Sequence, residues 1–290
     1  MPTKNKNKLT LITGATSGIG LAAAKSLAEE GHSIIGVARS QTKADAAKLA
    51  ILESNPEAEI VYLLADLSSQ AQIHNLVKDV ADTLKLMKRD SIDVLINNAG
   101  AVSSWYTLTE DGNELQFAVN HLAPFLLTHL LLPYLQQSPN ARILTTSSAS
   151  HRNTRMHWKD VMLSRHYGTL KAYKQSKLAN VLFTLEFNRR AGDNASVKAF
   201  AVDPGLVNTE IGCKGTNGFV NWFWKKRSRR GTTPEIAAET LIYLASRSNL
   251  PYQDEWYFKE CHPVHPGRYA RKKDPAKQLW ELSEKLTGLT

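Results

Sequence analysis

The chain has 290 residues, of which 42% are hydrophobic and 22% are charged. This composition excludes a disordered or fibrous protein, and the length is sufficient for one large α/β domain. The two cysteines, Cys213 and Cys261, cannot form a disulfide framework, and no Cys/His cluster has the spacing of a zinc site. We therefore expect a protein of a reducing compartment that binds no metal.

The net charge of +9 comes partly from two basic runs, 225–230 and 268–273. No nucleic-acid-binding motif or aromatic platform accompanies most of this charge, so a solvated surface is favoured over a nucleic-acid groove. Residues 1–8 lack the apolar core of a signal peptide, and the leucine-rich stretch 125–135 is interrupted by polar residues and proline. The sequence predicts a cytoplasmic protein with no nucleic-acid partner and no transmembrane segment. Peripheral contact with an anionic membrane stays open.

Short apolar runs alternate with helical periodicity along most of the chain. Strands are predicted at Leu9–Thr13, Ile34–Val37, Ile60–Leu64, Val94–Ile96, Arg142–Thr146, Val197–Val202 and Trp256–Phe258. Helices are predicted at Gly18–Glu30, Lys43–Ser54, Ala71–Met87, Gly112–Tyr134, Ala172–Arg190, Pro234–Ser246 and Asp274–Leu286, the last with Asp274 as its N-cap. The alternation predicts an α/β fold with a single Rossmann-type, doubly wound parallel sheet of about seven strands and helices on both faces.

A glycine-rich turn joins the first predicted strand to the first helix, in the run Thr13-Gly14-Ala15-Thr16-Ser17-Gly18-Ile19-Gly20. Glycines at this junction allow a tight turn and let backbone N–H groups approach a pyrophosphate at the helix N-terminus. We assign Gly14 to the turn, Gly18 to the close approach and Gly20 to the packing of helix on strand. The predicted dinucleotide contacts here are Gly14, Thr16, Ser17, Gly18, Ile19 and Gly20.

The end of the second strand distinguishes NAD from NADP. An acidic residue there would bind the ribose hydroxyls and repel a 2′-phosphate, but the run is Gly36-Val37-Ala38-Arg39-Ser40. Arg39 can bind a phosphate through a planar, charge-assisted pair of hydrogen bonds, and Ser40 and Lys43 are placed to assist. NADP(H) is therefore the expected cofactor, the alternative being that Arg39 is an ordinary surface arginine.

Two further strand ends extend the expected cofactor site. Asp66-Leu67 follows the third strand, where an adenine edge would lie, although Asp66 could equally cap the next helix. Asn97-Asn98-Ala99-Gly100 follows the fourth strand. Small residues there allow close approach to the cofactor ribose, and the asparagines can tie neighbouring strands together. The candidate contacts are Asp66, Leu67, Asn98, Ala99 and Gly100.

Tyr173 and Lys177 begin a predicted helix with i, i+4 spacing and so share one face. A phenol has a pKa of about 10, and a nearby ammonium lowers that pKa, so the pair can exchange a proton with a carbonyl or an alcohol near neutral pH. Ser147-Ser148 ends the fifth strand, where a hydroxyl can polarise a substrate oxygen. Asn120, inside a predicted helix, is a candidate water-binding or backbone-bonding group.

A turn and an aromatic cluster follow the sixth strand. Asp203-Pro204-Gly205 turns the chain so that the segment can face a nicotinamide, which adds the candidate cofactor contacts Pro204, Gly205, Val207 and Thr209. The aromatic residues Phe219, Trp222, Phe223 and Trp224 then precede the basic run 225–230. They are interpreted either as buried core or as a lid that grips an apolar or aromatic substrate. The single domain, 1–290, thus divides into a dinucleotide-binding and catalytic core (8–204), a lid region (205–232) and C-terminal helices (233–290).

In their order along the chain, these motifs resemble the short-chain dehydrogenase/reductase superfamily over residues 8–210: TGxxxGIG, NNAG, a helical Asn, the Ser, YxxxK and the PG turn. The resemblance implies a catalytic tetrad of Asn120, Ser148, Tyr173 and Lys177, with the second serine of the pair in the catalytic place. It implies hydride transfer between a nicotinamide and a carbonyl or alcohol carbon. Tyr173 and Lys177 are also expected cofactor contacts, with Lys177 bonding the nicotinamide ribose. The long spacing from Ser148 to Tyr173 resembles the retinol-dehydrogenase-like branch and its soluble microbial relatives.

Together these features predict an NADP(H)-dependent alcohol dehydrogenase or carbonyl reductase that acts on a small, apolar or aromatic substrate. Two other functions stay open. One is a non-enzymatic NADP-binding scaffold or sensor, which would have no need of Tyr173 and Lys177 together. The other is an adaptor that binds a membrane or nucleic acid through the run 225–230. The substrate, the direction of the reaction and the choice between monomer and homodimer are not readable from the sequence.

Overall fold

The computed structural model describes residues 8–192, 195–207, 231–250 and 255–289. Within these residues the strands, β1–β8 in chain order, are Leu9–Thr13, Ser33–Ala38, Ile60–Leu64, Val94–Asn97, Ala141–Thr146, Val197–Asp203, Tyr257–Lys259 and His262–Pro263. The α-helices, α1–α8, are Gly18–Glu29, Gln41–Ser54, Gln70–Leu86, Leu115–Phe117, Ala123–Gln136, Thr169–Ala191, Pro234–Ser246 and Lys273–Thr287.

The strands form one sheet in the order β3-β2-β1-β4-β5-β6-β7-β8. Every neighbouring pair is parallel except β7 with β8. The chain winds outward from β1 on one side and from β4 on the other, so the direction of winding reverses between these two strands. Sheets of this kind bind ligands beyond the carboxyl ends of the strands at such a reversal. The predicted Rossmann-type parallel sheet is confirmed.

Helices cover both faces of the sheet. Successive residues of a strand point to opposite faces, and β1 shows this directly. Leu9 and Leu11 belong to a buried cluster with residues of α3, α5, α6 and α8. Ile12 belongs to a second cluster with residues of α1 and α7. Burial on both sides explains why the strands read as nearly continuous apolar runs.

The helix predicted at Gly112–Tyr134 begins later and is not uniform. Gly112 lies in a turn with a φ of 76°. The carboxylate of Glu114 accepts hydrogen bonds from the backbone N–H groups of Gln116 and Phe117 and so caps α4. The chain then forms a π-helical turn, Ala118–Leu122, before α5. Periodicity alone did not reveal the cap, because the apolar pattern is compatible with helix on both sides of it.

The apolar helical stretch Leu115–Gln136 is long enough and apolar enough to cross a membrane by length and composition alone. However, 72% of its most apolar window is buried inside the protein. Its apolar side chains, including Phe125 and Leu126, pack in the cluster on one face of the sheet. It is therefore a core helix of this fold, as the interrupted leucine-rich pattern predicted.

Two details at the C-terminal end differ from prediction. Lys272, not Asp274, occupies the N-cap of α8, and Asp274 lies in the first turn, where its negative charge favours the helix dipole. The sheet also has an eighth strand among the described residues, because Glu260 and Cys261 form a tight turn with φ angles of 50° and 61°. Such turns usually carry Asn or Gly, so nothing in this pair predicted the hairpin.

Candidate active site

The glycine-rich turn lies at the carboxyl end of β1, where the winding of the sheet reverses. Gly14 and Gly18 have φ angles of 68° and 55°, in the region that favours glycine. A Cβ added to Gly20 would lie 2.2 Å from the Gly14 carbonyl oxygen and 2.6 Å from the side-chain nitrogen of Asn98. Ser17, the N-cap of α1, makes no side-chain capping bond. The first turn of α1 therefore has no side-chain cap from Ser17, and its N–H groups are the donors that the prediction assigns to a pyrophosphate.

Thr13 and Asn98 lock β1 to β4 beside this turn. The hydroxyl oxygen of Thr13 accepts hydrogen bonds from the N–H groups of Asn98 and Ala99, each at 3.0 Å. In return, Nδ2 of Asn98 donates to the Thr13 carbonyl at 3.2 Å. Asn97 donates to Thr128 of α5 at 3.2 Å, so it ties the sheet to a helix. The structure thus shows the expected strand tie at Asn98. Ala99 and Gly100 follow it as partly buried residues.

Cationic side chains flank the carboxyl end of β2. Arg39 and Lys43 are exposed, and Ser40 is the N-cap of α2 without a side-chain capping bond. Among the described residues, Arg39 has no ion-pair partner. The strand ends at Ala38, and Arg39 and Ser40 follow it, so none of these three described residues has a carboxylate that would repel a 2′-phosphate.

Asp66 does not cap the helix that follows β3. Its Oδ1 accepts hydrogen bonds from the N–H and the hydroxyl of Ser68, at 2.9 and 2.8 Å, and so closes a turn. Ser69 is the N-cap of α3, and its hydroxyl oxygen accepts from the N–H of Gln72. The capping alternative for Asp66 is therefore wrong. The side chain of Leu67 is buried in the core, so only its backbone can serve the crevice.

Tyr173 and Lys177 lie on the first turns of α6 and share a face, as predicted. The Nζ of Lys177 is 5.8 Å from the centroid of the Tyr173 ring. It donates a hydrogen bond of 2.9 Å to the carbonyl of Thr146, at the end of β5. Lys177 is only 3% exposed, and burial lowers the pKa of its ammonium group to about 8. The amine thus stays mostly protonated at neutral pH and places a positive charge beside a partly exposed phenol.

The two serines at the end of β5 have different surroundings. Ser147 is 1% exposed, and its hydroxyl donates to the backbone carbonyl of Lys177 at 2.9 Å. Ser148 is partly exposed, and its hydroxyl contacts only the N–H and the hydroxyl of Ser150, both at 3.2 Å, among the bonds of the described residues. The Ser147 hydroxyl thus forms a hydrogen bond between β5 and α6, and the Ser148 hydroxyl does not.

Asn120 lies in the π-helical turn and is 1% exposed. Its side-chain oxygen accepts from the N–H of Ala101 at 2.7 Å, and its Nδ2 donates to the Ala101 carbonyl at 3.0 Å. The same Nδ2 lies 3.0 Å from the hydroxyl oxygen of Ser176. Of the two predicted roles, the structure shows the backbone-bonding one. Asn120 therefore holds the loop after Gly100 against α6 at Ser176, the residue that precedes Lys177.

The turn after β6 is only partly described. Gly205 has a φ of 76°, and its N–H donates to Oδ1 of Asp203 at 3.1 Å. Pro204 and Val207 are partly buried, and Val207 pairs with Thr232 in an isolated bridge. Thr209 and the aromatic and basic residues 219–230 lie outside the described residues. The choice between lid and core for that segment therefore stays a prediction.

Sequence reasoning missed an apolar rim on the loop that follows β4. Trp105, Tyr106 and Leu108 are 63%, 37% and 50% exposed, and Leu170, at the start of α6, is 36% exposed. The Tyr106 ring meets the ring of Tyr167 edge-on, with centroids 5.8 Å apart. The Trp-Tyr pair soon after the NNAG segment was the available signal, since loops at strand carboxyl ends border the crevice.

Comparison with known proteins identifies the family to which this geometry belongs. A sequence model of the short chain dehydrogenase family matches residues 8–217. The chain belongs to the short-chain dehydrogenase family. It is 34% identical to human retinol dehydrogenase 11 over 282 residues, which are 97% of this chain and 86% of the relative. The family and the retinol-dehydrogenase-like resemblance predicted from the motifs are confirmed, and the chain is an oxidoreductase of this family.

Solved structures share the short-chain dehydrogenase fold. An uncharacterized protein from Mycobacterium paratuberculosis matches with a TM-score of 0.76 and 31% identity, over 97% of this chain and 93% of that one. A Burkholderia phymatum family member in complex with NAD has a TM-score of 0.68 at 20% identity, over 89% of this chain and 90% of its own. An Escherichia coli CFT073 protein complexed with NADPH has a TM-score of 0.67 at 21% identity, with coverage of 89% and 99%. At such identities the last two show the fold alone.

Proposed function

We propose that this short-chain dehydrogenase uses NADP(H) to interconvert an alcohol and a carbonyl group in a small, apolar or aromatic substrate. The observation that carries the proposal is that Lys177 lies beside the Tyr173 ring and bonds the carbonyl of Thr146 at the end of β5. Ser148 follows two residues later, and among the described residues its hydroxyl bonds only Ser150 of its own turn. Asn120 secures the adjoining loop. A protein that only binds a nucleotide has no use for a buried ammonium beside a partly exposed phenol.

The proton chemistry follows from the charges at this point. The ammonium of Lys177, 5.8 Å from the Tyr173 ring centre, stabilises the phenolate relative to the phenol. Tyr173 can then give a proton to a carbonyl oxygen, or take one from an alcohol, near neutral pH. The Ser148 hydroxyl can donate a hydrogen bond to the same oxygen and polarise it. NADP(H), when bound, supplies or accepts the hydride at the substrate carbon.

The residues around the β1–β4 boundary fit a dinucleotide that bears a 2′-phosphate. Because Gly20 has no side chain, α1 packs directly against the glycine-rich turn. The backbone N–H groups of the turn and of the helix N-terminus can therefore bind the pyrophosphate. Arg39, Ser40 and Lys43 would hold the 2′-phosphate. The remaining cofactor contacts are assigned to Asp66, the backbone of Leu67, Asn98, Ala99, Gly100, Lys177, Pro204, Gly205 and Val207.

The apolar rim supports the choice of substrate class. Exposed Trp105, Tyr106 and Leu108 follow β4, and exposed Leu170 lies one turn before Tyr173 on α6. The contact between the Tyr106 and Tyr167 rings places this loop against the segment that precedes α6, and clustered exposed apolar side chains commonly mark a binding surface. Tyr and Trp also offer a polar group beside their apolar rings, which suits a substrate with one oxygen on an apolar body.

Titration of NADPH and NADH tests the cofactor assignment, with wild type and Arg39→Ala compared. Loss of a charge-assisted phosphate contact should weaken NADPH binding by roughly tenfold to more than a hundredfold and leave NADH binding nearly unchanged. Lys48→Ala, which removes an exposed charge from the same helix α2, is the matched control and should change neither affinity. Equal affinity of wild type for the two cofactors would contradict NADP(H) preference.

A substrate panel tests the reaction itself. NADPH oxidation is followed by absorbance with apolar and aromatic ketones and aldehydes, and with small polar ones of the same reactivity. We expect higher kcat/KM for the apolar members, and a selective rise of KM for them in Trp105→Ala. Tight NADPH binding without turnover of any member would favour the scaffold or sensor.

A further inference from the structure

A buried hydrogen-bond network lies directly behind Ser148. His151, which is 1% exposed, ends the short 3₁₀ turn Ala149–His151 that follows this serine. Its Nδ1 is 2.7 Å from the carbonyl oxygen of Ser148. Its Nε2 is 2.9 Å from the backbone nitrogen of Gly267, which lies 116 residues further along the chain. One ring therefore bonds the peptide of Ser148 to the C-terminal part of the protein.

These two bonds select one state of the imidazole. A carbonyl oxygen can only accept a hydrogen bond, and a backbone N–H can only donate one. Nδ1 must therefore carry the proton that is donated to Ser148, and Nε2 must keep the lone pair that accepts from Gly267. His151 is thus neutral and in its Nδ1–H tautomer in the folded protein.

The network continues to the carboxyl end of β6, the strand that neighbours β5 in the sheet. The hydroxyl of Tyr257 donates to Oδ2 of Asp203 at 3.3 Å and lies 3.5 Å from Nδ1 of His151. The rings of Tyr257 and His151 meet edge-on, with centroids 5.1 Å apart. The other carboxylate oxygen of Asp203 accepts from the N–H of Gly205. The chain of contacts thus joins Ser148 to the Asp203-Pro204-Gly205 turn, which is a candidate nicotinamide contact.

We propose that His151 is a positioning residue for the reaction, which in its neutral Nδ1–H form fixes the Ser148 peptide and thereby aligns the Ser148 hydroxyl with the turn at Gly205. The proposal rests on the proposed function, because it assigns Ser148 to the substrate oxygen. Fixing this peptide matters because the Ser148 hydroxyl is not anchored between β5 and α6. Reaction rates are sensitive to displacements of about 1 Å in such a group.

Protonation of His151 would break the network. An imidazolium has N–H on both nitrogens, so Nε2 would face the donor N–H of Gly267 without a lone pair. Burial is the largest cause and lowers the pKa of His151 below its usual range, and the adjacent Arg152 lowers it further. The hydrogen bond to the Ser148 carbonyl and the charge of Asp203 oppose this shift without reversing it. The folded-state pKa of His151 is below that of the unfolded chain. The contribution of neutral His151 to the stability of the folded protein is therefore complete above about pH 6.5 and declines as the pH falls below this value.

Two substitutions separate the two bonds of the ring. In His151→Asn, the amide nitrogen can take the place of Nδ1 and donate to the Ser148 carbonyl, but the side chain is too short to reach Gly267. In His151→Gln, the longer side chain can accept from Gly267 but no longer places a donor at the Nδ1 position. We expect His151→Gln to lower kcat by about tenfold or more relative to wild type. We expect His151→Asn, which keeps the donor to Ser148, to retain most of the wild-type kcat. His157→Gln, an exposed histidine of the same loop, should behave as wild type.

Two readouts would not move with a merely structural role. The acid limb of the kcat–pH profile should be present in wild type and flattened in His151→Asn, which cannot titrate. Nitrogen-15 spectra of histidine-labelled protein without substrate, assigned by comparison with His151→Asn, should show the Nδ1–H tautomer persisting below pH 6.5. A His151 found as the Nε2–H tautomer, or titrating like a free histidine, would overturn the proposal.

The two proposals fail in different ways. The positioning role would be refuted if wild type turns over substrate and His151→Gln has the same kcat as wild type. If Tyr173→Phe loses activity in the same assay, the proposed function is left intact. Absence of turnover in wild type would refute the function. If His151→Gln does not fold, Tyr257→Phe removes the hydroxyl contacts to Asp203 and to Nδ1 of His151 and should raise KM or lower kcat by several-fold, with only a small decrease in melting temperature. Wild-type kinetics in a folded Tyr257→Phe would then refute the positioning network.

Discussion

Gly20 packs so closely on Gly14 that a Cβ added to Gly20 would lie 2.2 Å from the Gly14 carbonyl oxygen. That oxygen belongs to backbone and cannot rotate away as a flexible side chain would. The same Cβ would also lie 2.6 Å from Nδ2 of Asn98, the atom that ties β4 to β1. Helix α1, the glycine-rich turn and the end of β4 therefore meet at one point, which permits only glycine.

Gly20→Ala should destabilise the protein and weaken cofactor binding together, because α1 must move away from the turn that would hold the pyrophosphate. Overpacking of this kind costs roughly 1–3 kcal/mol in the free energy of unfolding. Gly168→Ala is the control, since a Cβ there would meet only the Lys171 side chain, at 3.7 Å. Urea denaturation and NADPH titration measure the two effects. A Gly20→Ala protein with wild-type stability would contradict the close packing.

Ser147→Ala and Ser148→Ala should have opposite profiles. Removal of the Ser147 hydroxyl deletes the buried bond to the Lys177 carbonyl and should cost about 1 kcal/mol of stability, with a smaller effect on turnover. Removal of the Ser148 hydroxyl should leave the melting temperature nearly unchanged and lower kcat by roughly 10²-fold. Each variant is the control for the other. The reverse pattern would transfer the catalytic assignment to Ser147.

Tyr173→Phe should bind NADPH and fold as wild type but lose most turnover. A general acid–base group contributes about 10² to 10⁴ in rate, and the phenylalanine ring preserves the packing beside Lys177. Tyr134→Phe, near the end of α5 and partly buried, removes a phenol hydroxyl elsewhere and serves as the control. Near-full activity of Tyr173→Phe on an established substrate would show that another group carries the proton.

Lys177→Met should abolish turnover and yet make the unliganded protein more stable at pH 7. Burial disfavours the ammonium and lowers its pKa from 10.5 to about 8. At neutral pH the buried lysine is still charged, so its desolvation reduces the stability of the folded protein. The Thr146 carbonyl that Lys177 contacts also accepts from Nδ2 of Asn180 at 3.1 Å. That carbonyl therefore keeps a donor after the substitution, and methionine fills a similar apolar volume.

The stability difference between wild type and Lys177→Met should depend on pH. A lowered folded-state pKa means that wild type gains stability as the pH rises from about 8 to 10.5, while the methionine variant does not. The advantage of the variant should thus be largest below pH 8 and shrink above it. Urea denaturation at pH 7, 9 and 10 measures this. Destabilisation of Lys177→Met at pH 7 would mean that the lysine contributes net stability despite its burial.

The positions of most site residues followed from their places along the chain. Gly14 and Asn98 each come directly after a strand, and Ser148 is the second residue after β5. In a parallel sheet all strand carboxyl ends lie at one edge, so these residues had to converge once the alternation of strands and helices was recognised. The i, i+4 spacing fixed the shared face of Tyr173 and Lys177 in the same way.

The contacts that distinguish similar residues were not readable in this way. Ser147 and Ser148 are identical neighbours, and only the packing of α6 on β5 separates the buried hydroxyl from the open one. Asp66 and Ser69 are both good caps, and the local chain geometry selects the serine. The π-helical turn that holds Asn120 against Ala101 has no periodic signature of its own.

By itself the sequence determined the Rossmann-type fold, the family and the edge of the sheet at which the site lies, because hydrophobic period and chain order are local properties. Only the tertiary structure decided which groups are paired, which are free and which are buried. His151 shows the physical reason most directly, since its partners are Ser148, three residues before it, and Gly267, 116 residues after it. Such a bond depends on how separate elements pack, and no periodic pattern along the chain encodes it.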